Sequence, residues 1–280
     1  MIEPRISPLM SKKIDFESSK IAVFGAPFDG TTTYRPGARF ASQAIRNEFY
    51  GLETYSPLLD MDLSDVDVFD CGDLELPFGN TVLSLEKIYD FSAYLYKNNK
   101  IPVMIGGEHL VSLPAIKAAY EKYNDLQVIH LDAHTDLREE YMGETLSHSS
   151  VIRRIWEFLG DGRIYQFGIR SGMREEFEWA KLGHTYLQKF NLDGLDNLRN
   201  IQQPVYVTID LDVLDPSIFP GTGTPEAGGI TYKELEQLFL ILQNIHVVGF
   251  DIVELSPNID TSGVSTAVAC KVLREMILSI

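Results

Sequence analysis

The sequence is poor in cysteine and in positive charge. Among its 280 residues are only 2 cysteines, Cys71 and Cys270, which form no CxxC pattern and indicate a reducing compartment. Lys and Arg number 24 against 40 Asp and Glu, a net charge of −16. This excess disfavours nucleic acid or an anionic membrane as a partner, because both attract clustered cations. A cationic small molecule is the partner that this charge favours.

Long hydrophobic runs are also missing. No apolar run reaches the roughly 18 residues that a bilayer span needs, and residues 1–20 contain no apolar core of a signal peptide. No repeat, low-complexity tract or linker rich in Pro and Ser interrupts the chain. The sequence therefore predicts a soluble, cytoplasmic protein with a single domain over residues 1–280.

Short β-rich runs alternate with amphipathic helical segments along the chain. The predicted strands are residues 20–27, 65–73, 101–107, 126–134, 163–171, 184–188, 204–212 and 246–254. Helical spacing of apolar residues predicts helices over 83–99 and 231–243, the second with a capping box of Thr231 and Glu234. The strands are apolar on both faces, as in a parallel sheet covered by helices on both sides. We expect an α/β fold of three layers with about eight strands.

Acids and histidines concentrate at the ends of four predicted strands. They are Glu108 and His109; Asp132, His134 and Asp136; Asp210 and Asp212; and Asp251 and Glu254. In open parallel sheets, ligands bind outside the carboxyl ends of the strands. The sequence therefore predicts a functional site at this edge of the sheet.

The residue types at this edge indicate metal binding. Alternate residues of a strand share a face, so Asp132 should point with His134, and Asp210 with Asp212. Four converging carboxylates would repel one another, and two divalent cations would balance them. With His109, the set is rich in oxygen and lacks thiolate, which suits Mn²⁺, with Fe²⁺, Co²⁺ and Ni²⁺ as other candidates. Two such ions can hold a bridging water and supply hydroxide at neutral pH.

Three motifs, GGEH, LDAHTD and IDLDVLDPSIFPGTGTPEAGG, resemble the signatures of the ureohydrolase family, which includes arginase, agmatinase and guanidinobutyrase. The resemblance extends in order from GAPFDGTTTYRPGARF to GFDIVELSP. It implies a three-layer αβα sandwich on a mainly parallel eight-stranded sheet, a trimer or hexamer, and a binuclear Mn²⁺ centre. The implied ligands are His109, Asp132, His134, Asp136, Asp210 and Asp212. Leu110 stands where the family often has serine, but this position is not a ligand.

The resemblance also implies hydrolysis of a guanidinium group by a metal-bridging hydroxide. Glu254 matches the family residue that binds the guanidinium, where a carboxylate can accept two N–H bonds. His148 matches the histidine that shuttles a proton to the departing amine, which leaves only when protonated. Asp136 could hydrogen-bond the hydroxide, and Thr224 is expected to line the site. The histidines without such a match are predicted to be structural: His130, His184 and His246.

The loop between Asp136 and His148 bears on the substrate. Arginases typically hold an α-amino acid there with a stretch bearing Asn and Ser or Thr. This loop instead carries three acids: Glu139, Glu140 and Glu144. They suit the ammonium end of agmatine, although Arg138 could serve a carboxylate. The block GAPFDGTTTYRPGARFASQAIR is similar to agmatinases and lacks a nucleotide-binding glycine pattern. We expect hydrolysis of agmatine to putrescine and urea.

Other readings stay open on sequence alone. A hydrolase of guanidino acids, such as a guanidinobutyrase, or an arginase would use the same centre. A nucleotide-sugar transferase could contain the IDLD element, but it would need a nucleoside pocket and leaves His109, Asp132 and His134 unexplained. A non-catalytic metal-binding relative is disfavoured because Glu254 and His148 are both present.

Overall fold

The computed structural model of the chain describes Leu9 and residues 14–280. Its strands are β1 Ile21–Gly25, β2 Tyr55–Ser56, β3 Met61–Asp62, β4 Val68–Asp73, β5 Ile101–Ile105, β6 Gln127–Leu131, β7 Ile164–Ile169, β8 Tyr186–Lys189, β9 Val205–Asp210 and β10 Val247–Val253. Its α-helices are α1 Ala41–Glu48, α2 Thr81–Lys97, α3 Ser112–Lys122, α4 Val151–Leu159, α5 Arg174–Trp179, α6 Tyr232–Leu242 and α7 Val264–Leu278. Most of the N-terminal stretch in which we expected no signal peptide lies outside the described residues.

Eight of these strands form one sheet in the order β4-β1-β5-β10-β9-β6-β7-β8. Each neighbouring pair is parallel, so the predicted fold class is confirmed. Strands β2 and β3 form a separate antiparallel ribbon of two residues each. The sequence did not predict this ribbon, because two residues show no alternation of polar and apolar side chains.

Helices cover both faces of the sheet. Along β1, Ile21 and Val23 pack into a core with α1, α6 and α7. The alternate residues Ala22 and Phe24 pack into a second core with α2, α3 and α4. Because both faces of the strand are buried, every residue along it is apolar. Within the described part of the chain, none of the helices is both long and apolar enough to span a membrane.

The helix predictions agree with the structure to within two residues. Helix α6 begins after the predicted capping box, in which the Glu234 N–H donates to Thr231 Oγ1 at 3.2 Å and Glu234 Oε2 accepts from the Thr231 N–H at 2.7 Å. Helix α2 begins at Thr81, two residues before the predicted start, because Asn80 caps it by accepting from the Leu83 N–H at 3.0 Å.

The strands that lead to the site are shorter than predicted. Strand β6 ends at Leu131 and β9 at Asp210, whereas the sequence predicted strands to residues 134 and 212. The Asp132 Oδ1 accepts the His134 N–H at 2.5 Å, and Asp210 Oδ1 accepts the Asp212 N–H at 2.9 Å. Each aspartate therefore starts a turn by bonding the backbone two residues on. The expectation that strand alternation brings Asp132 to the same side as His134, and Asp210 to the same side as Asp212, is wrong. The turns bring each pair together instead.

Candidate metal centre

The chemistry-bearing residues follow four strands that lie side by side. In the order β5, β10, β9 and β6, the carboxyl ends of these central strands lead into the predicted site residues. They lead to His109 after β5, Glu254 after β10, Asp210 and Asp212 at the end of β9, and Asp132, His134 and Asp136 after β6. The predicted site residues therefore do lie together, at the carboxyl ends of the four central strands.

The segment after β6 is held in an unusual backbone conformation. Asp136 has a φ of 52°, in the left-handed region that few residues other than glycine adopt. The buried Glu176 holds its neighbours, because Glu176 Oε1 accepts from Thr135 Oγ1 at 2.7 Å and from the Leu137 N–H at 2.9 Å. These bonds stabilise the conformation that turns the Asp136 carboxylate toward the centre.

The segment after β9 is held from outside by an arginine. Arg170 donates from Nη2 to the carbonyl of Asp212 at 2.7 Å and from Nη1 to the carbonyl of Val213 at 3.1 Å. The Asp212 carboxylate in turn accepts the Ala133 N–H at 3.1 Å through Oδ1. The two loops that carry the aspartates are thereby tied to each other.

The potential ligand atoms form two groups that share one carboxylate. In the first, His109 Nδ1 lies 3.1 Å from Asp132 Oδ2, 3.4 Å from Asp136 Oδ2 and 3.3 Å from Asp210 Oδ2. In the second, His134 Nδ1 lies 3.4 Å from Asp132 Oδ1 and 3.0 Å from Asp212 Oδ2. The ligand atoms of His109, Asp132 and Asp136 in the first group lie close enough together to surround one ion, as do those of Asp132, His134 and Asp212 in the second. Asp210 adjoins the first group through its contact with His109. Asp132 contributes a different oxygen to each group, as a carboxylate between two ions would.

Two buried atoms of the centre support a fit to metal. His109 Nδ1 and Asp212 Oδ2 are buried and have no hydrogen-bond partner. The other nitrogen of His109, Nε2, lies 2.9 Å from Thr208 Oγ1, whose hydroxyl donates to Asp251 Oδ1 at 2.6 Å. Since that hydroxyl hydrogen is used, Nε2–H donates to Thr208, and the neutral His109 ring presents the Nδ1 lone pair to a metal ion. A free imidazole lone pair among carboxylates is a metal-ligand arrangement.

Negative charge is crowded in the centre. Burial, with the charges of Asp212 and Asp132, raises the pKa of Asp210 well above its usual value. Burial and the charge of Asp132 likewise raise the pKa of Asp136. Burial would lower the pKa of His109, but the carboxylates of Asp132, Asp136 and Asp210 close to its Nδ1 raise that pKa well above the usual value. The centre therefore draws cations, whether protons or metal ions.

Glu254 and His148 lie beside the ligand groups. Glu254 has a φ of 66° and its Oε1 accepts the His109 N–H at 2.9 Å. His148 Nδ1 lies 3.5 Å from the same oxygen. Burial would lower the pKa of His148, but the Glu254 carboxylate raises it to about 9. His148 is therefore protonated at neutral pH and faces the carboxylate that was expected to bind substrate.

Residues 31–33, the threonine loop, also contact His148. The protonated His148 ring can donate its Nε2–H to Thr33 Oγ1, which lies 3.0 Å away, and Thr31 Oγ1 accepts the backbone N–H of His148 at 3.1 Å. The loop is anchored by the buried Glu108, which accepts from the Thr31 N–H at 2.9 Å and from Thr32 Oγ1 at 3.0 Å. Burial raises the pKa of Glu108 to about 7. No role was predicted for these threonines from the sequence.

A cavity of about 300 Å³ opens above the centre. Its lining contains Thr33, His134, Asp136, His148, Asp210 and Thr224 among other residues. Thr224 is among these lining residues, and its contact with a substrate stays a prediction. The remaining predicted ligands, His109, Asp132 and Asp212, are buried beneath it.

The chain is similar to known proteins over nearly its whole length. A family model described as the arginase family matches residues 19–279. The agmatinase of Bacillus cereus is 52% identical over 270 residues, which cover 94% of this chain and 92% of the relative.

The chain belongs to the arginase family.

Solved structures of relatives have the same fold. A Clostridium difficile protein proposed to be an agmatinase has a TM-score of 0.93 at 56% identity, covering 95% of this chain and 98% of that one. Arginase from Medicago truncatula has a TM-score of 0.82 at 28% identity, covering 93% of this chain and 87% of that one. The arginase-family chain is therefore an enzyme of the ureohydrolase type, as the motifs predicted.

The loop glutamates of this arginase-family enzyme do not lie where the sequence argument needed them. Glu139 pairs with Arg153 at 3.1 Å, Glu140 is exposed, and Glu144 lines a neighbouring depression beside the threonine loop. The cavity lining instead includes Arg138, which lies over the Tyr141 ring at 5.0 Å. A substrate role for the three glutamates stays a prediction that these contacts do not support.

Asp251 also differs from its expected place at the edge of the sheet. It is fully buried behind His109, where Oδ1 accepts from Thr208 Oγ1 and Oδ2 accepts from the Tyr206 hydroxyl at 2.9 Å. Asp251 is in the interior of β10, so its side chain supports the predicted ligand His109 through Thr208 and does not face the cavity. The polar Thr208 within an apolar strand was the signal that sequence analysis left unused.

Proposed function

We propose that this arginase-family enzyme hydrolyses the guanidinium group of agmatine to give putrescine and urea, with residues 1–280 forming one domain. The observation that carries the proposal is Asp132, whose two oxygens serve two ligand groups beneath an open cavity. The choice of agmatine is supported by the 52% identity to the agmatinase of Bacillus cereus.

We propose that the centre holds two Mn²⁺ ions, with other divalent transition metals as alternatives. The ligands would be His109, Asp132, His134, Asp136, Asp210 and Asp212. When bound, two such ions lower the pKa of a shared water enough to supply hydroxide at neutral pH. That chemistry meets the main difficulty of the reaction, because a guanidinium carbon is stabilised by resonance and is a poor electrophile.

The side chains around the centre would bind the substrate and move its proton. Glu254 orients the guanidinium by accepting its N–H groups, while the His109 N–H fixes the Glu254 carboxylate. Asp136 orients the attacking oxygen, and Thr224 contacts the substrate in the cavity. His148 gives the proton on Nδ1 to the amine nitrogen as the C–N bond breaks. Putrescine then leaves as the protonated amine, and the attacking oxygen, now bonded to the carbon, releases its proton as the carbonyl group of urea forms.

Arg138 favours a second candidate substrate. Its guanidinium lies in the cavity lining, where it would attract the carboxylate of a guanidino acid such as 4-guanidinobutyrate and repel the ammonium of agmatine. The same centre would hydrolyse either substrate, because the two candidates differ only in the charged group at the end opposite the guanidinium.

The test of the proposed function is urea release by the Mn²⁺-loaded protein. Agmatine, arginine and 4-guanidinobutyrate are supplied side by side at equal concentration. We expect kcat/KM for agmatine to exceed the other two by at least about tenfold, since one misplaced charge costs over 1.4 kcal/mol in a buried site. A preference for 4-guanidinobutyrate would retain the mechanism and overturn the substrate. No urea from any of them, with Mn²⁺ bound, would contradict the proposed activity.

His148→Ala should slow turnover and leave the metal in place. His148 lies outside the two ligand groups, and general acid catalysis contributes roughly 10²–10⁴-fold. The pKa of His148 is raised to about 9, so the wild-type rate should fall as pH rises past about 9 and the acid is lost. The variant should lack this fall. A folded His148→Ala protein without metal would show that the residue supports the ligands instead.

The cellular setting is also proposed. A reaction that releases putrescine would supply polyamine biosynthesis, and its cationic substrate would be drawn by the net charge of −16. We propose a cytoplasmic homo-oligomer, either a trimer or a hexamer. Light scattering of the purified protein measures that state.

A further inference from the structure

His130 lies next to the metal ligands and was predicted to be structural. It is fully buried on β6, and its Nε2 lies 2.9 Å from Asp132 Oδ2. Its ring centroid is 5.1 Å from that of His109. By distance alone, His130 could join His109, Asp132 and Asp136 around one ion. The two possible roles differ in one proton: a ligand needs a bare Nε2, and a hydrogen-bond donor needs Nε2–H.

The neighbouring strand decides where that proton lies. Gln166 on β7 is paired with His130 in the sheet. The amide nitrogen of Gln166 lies 2.8 Å from the Thr135 carbonyl oxygen, which can only accept, so the Gln166 NH₂ group faces it. The amide oxygen accepts from Thr185 Oγ1 at 2.9 Å, which agrees with the same orientation.

The second amide hydrogen of Gln166 points to His130. Gln166 Nε2 lies 3.1 Å from His130 Nδ1, and an NH₂ group can only donate. His130 Nδ1 is therefore the acceptor, and a neutral imidazole then has its hydrogen on Nε2. That hydrogen faces Asp132 Oδ2.

We propose that His130 is a hydrogen-bond donor that orients the Asp132 carboxylate and is not a metal ligand, and that Gln166 determines its tautomer. Asp132 Oδ2 accepts the ring Nε2–H of His130, and Asp132 Oδ1 accepts the backbone N–H of His134. The two bonds fix the rotation of the carboxylate with one oxygen toward each ligand group. His130 is thus a positioning residue for the shared ligand. The inference rests on the metal centre proposed above.

Two variants of His130 separate the roles. A glutamine amide reaches about as far as Nε2 and can donate the same bond, whereas methionine fills a similar volume without a donor. For a positioning residue, His130→Gln should retain two Mn²⁺ ions per chain at near wild-type affinity. His130→Met should lose about 10–100-fold in Mn²⁺ affinity, as expected when the partner of a ligand is lost. Free Mn²⁺ at equilibrium, measured by electron paramagnetic resonance, gives both values.

Equal loss in the two variants would overturn the proposal. If His130 were a ligand, glutamine would replace it poorly, and both variants would bind one ion fewer than the wild type. Circular dichroism spectra and melting temperatures establish that each variant is folded.

The tautomer is measured on the wild-type chain without metal or substrate. In ¹⁵N-histidine-labelled protein, the His130 ring, identified by its absence in His130→Gln, should show a protonated Nε2 and an unprotonated Nδ1. The opposite tautomer would overturn the role of His130 and leave the proposed function untouched. A wild-type chain that binds no Mn²⁺ would overturn the proposed centre and this role with it, whichever tautomer is seen.

Discussion

Asp210→Asn should lose metal and activity together. The substitution keeps the shape of the side chain, and Oδ1 can still accept the Asp212 N–H, but a neutral amide replaces the oxygen that faces His109. We expect Mn²⁺ affinity to fall by more than the roughly 100-fold that loss of a ligand's partner costs. Metal content and urea release, measured on the same preparation, should fall in proportion.

Thermal melting adds an independent readout for Asp210→Asn. Burial and the neighbouring carboxylates raise the pKa of Asp210, so a neutral amide costs the metal-free centre less than a buried carboxylate does. The metal-free variant should melt no lower than metal-free wild type. Mn²⁺ at about a hundredfold excess over Kd should stabilise the wild type by about 2.7 kcal/mol for each ion bound and the variant far less.

The matched control is Asp196→Asn, which breaks only an exposed pair with Arg199 and should change neither metal content nor rate.

Asp132→Asn should have the larger effect, since Asp132 serves both ligand groups and both ions should be lost. Full activity with two ions retained in either site variant would overturn the ligand assignment.

Glu254→Gln should abolish most of the activity with the metal still bound. Glu254 belongs to neither ligand group, and glutamine can still accept the His109 N–H. What is lost is the negative charge that would face the guanidinium. Removing one partner of a buried charge pair costs about 2–5 kcal/mol, which is roughly thirtyfold to several thousandfold in kcat/KM. Steady-state kinetics and metal analysis of the same sample measure both quantities.

The same substitution at Glu140 is the control for charge. Glu140 is exposed on the loop before His148, so Glu140→Gln should leave kcat/KM nearly unchanged. A large loss at Glu140 would restore the prediction that the loop glutamates bind the substrate. A Glu254→Gln protein that keeps wild-type kcat/KM would show that the guanidinium is held by other groups.

Much of the candidate site was predictable from local patterns. Acids and histidines that follow directly after apolar strands are costly unless something compensates them, so the LDAHTD and IDLD segments are conspicuous in the sequence alone. The supporting polar residues were harder to interpret. Gln166 and Thr208 are single polar residues within apolar strands, and their partners lie far away in the sequence.

The loop glutamates show where local reasoning was insufficient. Their charge suited an ammonium group, but whether they face the cavity depends on how the loop packs. Glu139 is drawn to Arg153 on α4, a partner that no periodicity indicates. Arg138 lines the cavity instead, although it is adjacent to Glu139 in the sequence.

The sequence by itself determined which side chains are available for chemistry and that they follow parallel strands, because strand periodicity and residue type are local properties. Only the tertiary structure decided that β5, β10, β9 and β6 are neighbours. It also decided that Asp132 faces both ligand groups and that Nδ1 of His109 has no hydrogen-bond partner. These outcomes depend on contacts between distant residues: the His109 N–H meets Glu254, 145 positions away, and Thr31 meets Glu108, 77 positions away. Strand order and hydrogen-bond partners are set when the whole core packs, and no local window of sequence contains them.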